Sequence, residues 1–397
     1  QAQVAQTVSI GANYPDAVYY SMQNGAAPAV SNSDWELGFQ LRGFWASIII
    51  NSKTNVQAYR ANKSVSQWAS MTPSDTVGIL NSTYELRNSD LTWDEGALSN
   101  TYDTANAFDL GWGVYDFVTH AVTGDSLFFI KLPNGDFKKL WIESLTGGIF
   151  YFRWANLDGS NEIISQLDKA NFTNKYFGYF SITNNTWIDR EPVAYNQWDL
   201  LFHQYLAVTP IAYKVVGVLS NDSVFVEKAY PVDVANATPD LWNASMEINK
   251  IGYDWKVYDF ANNIWTIEDS LVYFVRDRSM GVWKVIFTGF GGAANGNFEF
   301  TKEFIGVTGV EESSMNPLLS VYPNPANDYV NLVVTKQSGT AVFRILNTLG
   351  EVMLEEAKSL TADLSTVNFN ISSLVPGMYL LSSSQNGKTY SKTFIVQ

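Results

Sequence analysis

Short apolar or alternating runs along this chain are broken by Gly, Asn, Asp and Pro about every 8–12 residues, the spacing of an all-β protein. Ser126-Leu-Phe-Phe-Ile-Lys-Leu132, Tyr273-Phe-Val-Arg276 and Val282-Trp-Lys-Val-Ile-Phe287 are representative. Asn134-Gly135 lies between two such runs, and Asn386-Gly387 between two others. Asn-Gly tolerates positive φ at both central positions of a type I′ turn, so both dipeptides predict tight hairpins. Helical periodicity is scarce and predicts short helices only around Ser64–Ala69 and Asn161–Lys169.

The pattern repeats. Trp112-Gly-Val-Tyr-Asp-Phe117 returns as Trp255-Lys-Val-Tyr-Asp-Phe260, and Gly124-Asp-Ser-Leu127 as Glu268-Asp-Ser-Leu271. Upstream, Trp35-Glu-Leu-Gly-Phe-Gln40 matches Trp198-Asp-Leu-Leu-Phe-His203, and Tyr19-Tyr-Ser21 matches Tyr179-Phe-Ser181. Collinear landmarks of this kind define an internal repeat. They predict two tandem β domains, residues 1–162 and 163–305, with the doubled Trp residues as core anchors. The first carries an extra stretch, Val56–Glu95. Residues 306–317 are small, polar and turn-rich, the composition of a linker. Residues 318–397 hold several short strand patterns and predict a small C-terminal β-sandwich.

That third unit resembles the C-terminal (type A) sorting domain of type IX secretion cargo in Bacteroidetes. The matching segments are Val321-Tyr-Pro-Asn-Pro325, Phe343–Glu351 with its Gly350, Leu374-Val-Pro-Gly-Met-Tyr-Leu380 and the closing Gly387–Ile395. The resemblance assigns the sorting signal to Tyr322, Pro323, Asn324, Pro325, Gly350, Pro376, Gly377, Tyr379, Lys388, Lys392 and Phe394. It implies export to the cell surface or medium through the translocon and its outer-membrane shuttle barrel, with contacts to other surface proteins open. From the residues themselves, Pro323 and Pro325 fix φ, Gly377 permits a sharp turn, and the last strand offers an edge for pairing. The repeats are similar to the HmuY-type family of β-rich envelope proteins, through Asn196–Tyr205, Ile251–Lys256 and Lys284–Phe290. Some of its members bind haem through paired histidines, which here makes His120 and His203 the candidate ligands, with Met22, Met71, Met246 and Met280 as substitutes.

Composition narrows the chemistry. The chain has 397 residues, with 25 Lys and Arg against 39 Asp and Glu and a net charge of −14. A nucleic-acid surface needs a basic stripe, which this balance argues against. No Cys occurs, so disulfides, thiol catalysis and thiolate metal sites are excluded. No apolar run approaches the ~20 residues of a spanning helix. Gln1-Ala2-Gln3 reads as the end left by a removed signal peptide, or as a trimmed chain.

Catalytic constellations are not evident. Gly124-Asp-Ser-Leu127 spells a hydrolase motif, but Ser126 needs a His held by Asp, and its repeat partner reads as a strand start. Gly387-Lys-Thr389 lacks the preceding Gly of a phosphate loop, and Gly291–Gly296 reads as a hairpin connection. Trp93-Asp-Glu-Gly96 reads as a solvated turn. Phe44-Trp45 and Trp141 could stack on sugars, though packing against the sheets is the commoner role for such rings. The reading is therefore a non-enzymatic exported protein without catalytic or metal residues. Its alternatives are a haem- or small-ligand-binding envelope protein and a secreted hydrolase of carbohydrate or peptide. Five Asp-Ser/Thr-apolar tripeptides make Thr76, Thr104, Ser126, Ser223 and Ser270 candidate O-glycosylation sites.

Overall fold

The alternating runs fold as antiparallel strands, because a period of two gives each strand one face for a core. The computed structural model describes residues 3–43, 45–106, 108–208, 211–307, 319–335, 339–347, 350–360, 364–385 and 388–397. The Asn386-Gly387 turn, Phe44 and most of the 306–317 linker lie outside those residues. Residues 1–308 form one compact unit and residues 309–397 a second.

In the first unit the two sequence repeats exchange strands. The N-terminal arm, Val4–Ser9 and Asp16–Ser21, pairs beyond residue 31 only with strands of the second repeat; within its own repeat it meets just the short strands Gly25–Ala26 and Val30–Ser31. Val4–Ser9 pairs with Asn297–Val307, and Asp16–Ser21 pairs with Leu200–Ala207. The matching arm of the second repeat does the reverse. Ile163–Asp168 pairs with Ile149–Asn156, and Phe177–Ser181 pairs with Leu37–Gln40. One core therefore gathers Leu37, Phe39, Phe128, Phe150, Phe152, Trp112 and Phe180. The other gathers Val8, Val18, Tyr20, Phe202, Trp255, Phe287 and Phe300. The division at 162/163 marks the repeat in the sequence, while the cores divide the chain near residues 35 and 190.

The doubled Trp residues are buried in both bodies. Trp112 and Trp255 have no exposed surface, and Trp35 and Trp198 are nearly enclosed. Equivalent Asn residues brace each body. The Asn51 amide donates to the carbonyls of Asn32 and Trp35, and the Asn221 amide donates to those of Tyr195 and Trp198. Gly124, from the hydrolase-like motif, is a packing glycine. A Cβ there would sit 1.7 Å from the Ile142 carbonyl.

Four local expectations change. Residues 163–168 form a strand rather than a helix: Ile163, Ser165 and Leu167 face the neighbouring sheet while Ile164 is exposed. The helix near residue 64 is a 3-10 helix, Val65–Ser70, opened by a Ser64/Gln67 capping box. At Asn134-Gly135 only Gly135 takes a positive φ, 93°, so the turn is longer than type I′. Residues 291–296 contain a single helical turn, Gly292–Asn295. No helix among the described residues is long and apolar enough to cross a membrane.

The C-terminal unit is the expected sandwich. Leu319–Tyr322, Tyr329–Thr335 and Leu364–Asn370 form one sheet. Val352–Leu360, Gly339–Leu346, Gly377–Gln385 and Lys388–Val396 form the other, in that order. Val330, Leu332, Phe343, Ile345, Phe369, Leu381 and Phe394 fill the space between them.

Candidate functional site

In the C-terminal unit the sequence motifs from the two ends of the domain meet. Tyr322, Pro323, Asn324 and Pro325 are exposed. The Ile395 amide donates to Asn324 Oδ1 at 2.9 Å, and the Ala326 amide donates to the Ile395 carbonyl at 2.8 Å. Ala326 thereby forms a parallel bridge with Val396. The last strand is the edge of its sheet, and residues 324–326 lace onto that edge at its far end. Phe394 is buried against Tyr379, with ring centroids 5.9 Å apart, while Lys392 on the same strand is exposed. Lys388 opens that strand opposite Gln385. The Tyr379 hydroxyl donates to the Val375 carbonyl, which pins the Pro376-Gly377 corner. Gly377 itself lies outside the left-handed region, so the corner needs no glycine conformation there. Gly350 does use one, with φ 83° in the turn closed by Asn347.

A second site lies at the seam of the two repeats. Tyr19 and Tyr179, equivalent positions of the exchanged arms, meet hydroxyl to hydroxyl at 3.4 Å. Each is backed edge-on by a landmark Trp: Trp198 at 5.1 Å and Trp35 at 4.9 Å between centroids. Arg190 is buried beside them, its guanidinium 4.8 Å from the Tyr179 ring centre. It donates to the Ser31 carbonyl from Nε and a terminal nitrogen, at 3.1 and 2.9 Å. Glu191, also buried, accepts the Tyr176 and Phe177 amides at 2.7 and 3.0 Å. Burial pushes its carboxyl up to about 7 against the pull of those amides.

The expected solvated turn at Trp93–Gly96 is instead part of this seam. Trp93 is half-buried, donates to the Ser220 carbonyl and packs on Phe177. It arrives on the stretch found only in the first repeat, which also brings Asp90. Asp90 Oδ2 accepts the Val208 amide at 3.1 Å.

Asp90, Arg190, His203 and Tyr205 line a cavity here, with room of about 70 Å³. Asp90 Oδ1, His203 Nε2 and the Tyr205 hydroxyl, from three of these lining residues, are buried without a protein partner. Burial, then the charges of Arg190 and Lys53, hold the His203 imidazole down at about 3, so it is neutral. The volume suits a few waters, at roughly 10–15 Å³ each, or a small polar guest. It is well below the roughly 300–1,000 Å³ of sites for larger ligands.

His120 is elsewhere. It takes a φ of 55° in an exposed hairpin turn, where Nδ1 meets the Tyr115 hydroxyl at 2.8 Å. The structure does not bring it to His203. Met22 and Met71 are buried, and Met246 and Met280 lie on the surface.

Of the candidate modification residues, Thr104 and Ser223 are exposed and Thr76 and Ser270 half-buried. Ser126 is 2% exposed; it donates to Asp125 and accepts from Arg60. A glycan has no room there in the folded chain. The pairing to Arg60 and Asp125 also shows how the Ser of the hydrolase-like motif is used in this fold.

Arg190, Glu191 and Asp90 carried no motif in the sequence, and Tyr205 entered only as the last residue of the Asn196–Tyr205 segment. For Asp90 the available signal was the extra stretch of the first repeat, Val56–Glu95, which had to pack somewhere.

Residues 320–397 match the secretion system C-terminal sorting domain family. A sorting domain of this kind marks the chain for export through the type IX secretion system to the cell surface or extracellular space. No curated protein matches the chain. Among solved structures the chain is similar to PorZ, described as an essential bacterial surface component of the type-IX secretion system of human oral-microbiomic Porphyromonas gingivalis. The identity is 12% and the TM-score 0.17, over 71% of this chain and 44% of that one. It is also similar to dimeric latent PorU from Porphyromonas gingivalis, at 7% identity and TM-score 0.19, over 70% of this chain and 26% of that one. The chain thus spans less than half the length of either structure.

Proposed function

We propose that this exported protein is non-enzymatic, with residues 1–305 serving as a binding or structural scaffold outside the cell. The C-terminal domain engages the translocon and its outer-membrane shuttle barrel. The observation that carries the delivery role is the lacing of Asn324 and Ala326 onto the final strand, which makes the signal a folded surface rather than a loose tail. Deleting residues 318–397 tests it. Export is expected to stop while residues 1–305 remain folded in the periplasm; surface display of the truncated chain would refute it.

The seam cavity favours a second, narrower reading as a small-ligand binder, because three of its lining residues each hold a buried polar atom without a protein partner. Its test is thermal stabilisation of the purified chain by small polar solutes, with a Tyr205→Phe variant as control. Equal stabilisation of both proteins would remove this reading.

A further inference from the structure

Each repeat raises one hairpin from a buried Trp, and the two hairpins are built alike. Gly113–Asp116 pairs with Ala121–Gly124, and Lys256–Asp259 pairs with Ile264–Ile267. Both loops hold four residues, Phe117–His120 and Phe260–Asn263. In the first, Asp116 Oδ1 accepts the Val118 and Thr119 amides at 2.7 and 3.1 Å. In the second, Asp259 Oδ1 accepts the Ala261 and Asn262 amides at 2.8 and 3.2 Å. The fourth loop residue is left-handed in both, at φ 55° for His120 and 54° for Asn263. Each is reached by the hydroxyl of the strand Tyr, Tyr115 or Tyr258.

Tyr and Asp therefore have structural work in the turn. Phe117 and Phe260 make no hydrogen bond in the turn and leave most of their surface in solvent, 66% and 84% exposed. The three loop residues after them differ completely between repeats, Val-Thr-His against Ala-Asn-Asn. A scattered exposed apolar residue is ordinary. One retained at the same hairpin tip in two diverged copies, where packing does not require it, points to a contact outside the chain.

The surroundings state the chemistry of that contact. Phe117 continues a ledge with Phe108 and Tyr115, whose neighbouring ring centres are 6.1 and 6.2 Å apart. Phe260 meets Tyr258 at 5.0 Å, and Tyr258 meets Trp265 at 5.1 Å. Each exposed Phe follows an Asp whose carboxyl is held below the usual range, Asp116 by hydrogen bonds from the Val118 and Thr119 amides and Asp259 by the Asn262 side chain and then the Asn262 and Ala261 amides. Neither loop contains Lys or Arg, and the chain carries −14 overall. Ring faces are electron-rich and attract cations. The fold already uses such a group inward: the Lys256 ammonium lies 4.3 Å from the Trp255 ring centre and 5.6 Å from that of Trp265.

We propose that the twin tips, Asp116-Phe117 and Asp259-Phe260, are paired docking points for Arg or Lys side chains of a basic partner polypeptide. The cation stacks on the Phe ring and pairs with the adjacent carboxylate. Two points on one chain add avidity for a partner with spaced basic residues. This deepens the binding role proposed above, and it is tested on purified full-length chain, so its outcome is independent of the export experiment.

The probe is a fluorescent arginine–glycine repeat peptide, titrated with wild type, Phe117→Leu, Phe260→Leu and the double variant. Leu keeps the charge and much of the apolar area but removes the ring. Affinity is expected to fall about threefold for each single change and about tenfold for both, with unaltered near-ultraviolet circular dichroism. Equal affinity for wild type and the double variant would mean binding by net charge alone and would overturn the proposal. So would Phe-dependent binding to phosphatidylcholine vesicles or to laminarin without Phe-dependent binding to the peptide.

Discussion

Tyr19 and Tyr179 stand 160 residues apart in sequence and touch through their hydroxyls at 3.4 Å. They occupy the same place in the two repeats, so their contact marks the axis about which the arms are traded. Each Tyr is presented by a strand that pairs with the other repeat's body. Cutting the chain at the repeat boundary would strip both bodies of an arm.

The fragments 1–162 and 163–305 are accordingly expected to be insoluble or unfolded when made alone and to recover native circular dichroism when co-expressed. Fragment 35–190 keeps the first core intact and is expected to be the more soluble single piece. Independent folding of 1–162 to a monomer with native-like hydrogen-exchange protection would show that the exchange is dispensable.

Acid stability should report on His203. Its folded value of about 3 lies below its ordinary 6.5, so the folded state takes the proton less readily. Its contribution is complete above pH 6.5 and is lost as pH falls from there towards 3. Glu191 acts with the opposite sign. Raised to about 7 from 4.5, it contributes fully below pH 4.5 and loses that contribution as pH rises to 7. Thermal melts of wild type and His203→Phe at pH 7 and pH 4.5 separate the first effect, since Phe cannot take a proton. The variant's Tm relative to wild type is expected to be higher at pH 4.5 than at pH 7. A difference that does not move with pH means that His203 is not titrating in this window.

In the sorting domain, Asn324→Ala removes the acceptor for the Ile395 amide. A single lost hydrogen bond of this kind costs about 1 kcal/mol. Urea unfolding of the isolated domain should show that loss, and export should slow relative to a neutral surface change such as Ser391→Ala. Unchanged midpoint and export together would show that the lacing does not matter.

If the protein is O-glycosylated in its source, the modification is expected at Thr104 and Ser223, where the hydroxyl-bearing residues are exposed, and not at Ser126. Peptide mapping by mass spectrometry of natively exported protein decides. Glycan on Ser126 would require modification before folding.

The strand pattern, the doubled landmarks and the C-terminal sandwich were legible because each depends on local periodicity or on spaced motifs. The exchange was not. The same repeats would be written in the sequence whether Asp16–Ser21 paired within its own half or across it. Ile163–Asp168 misled because its alternation is short and follows polar residues that also suit a helix start. Arg190 and Glu191 sit between strands, where burial is set by distant partners. The Tyr-Asp-Phe motif was visible as a repeat, but the exposure of Phe117 and Phe260 depends on where the hairpins end in space.

The pairing of Val4–Ser9 with Asn297–Val307 sets a schedule for making the molecule. At about 5–20 residues per second of synthesis, the first strand emerges and then waits roughly 15–60 seconds for its partner to exist. Until then an edge of the second body stays open, and long-range closures of this kind are slow. The sorting domain is the next segment synthesised after that partner strand. A machine that recognises the folded domain therefore meets only chains whose closing strand has already been made.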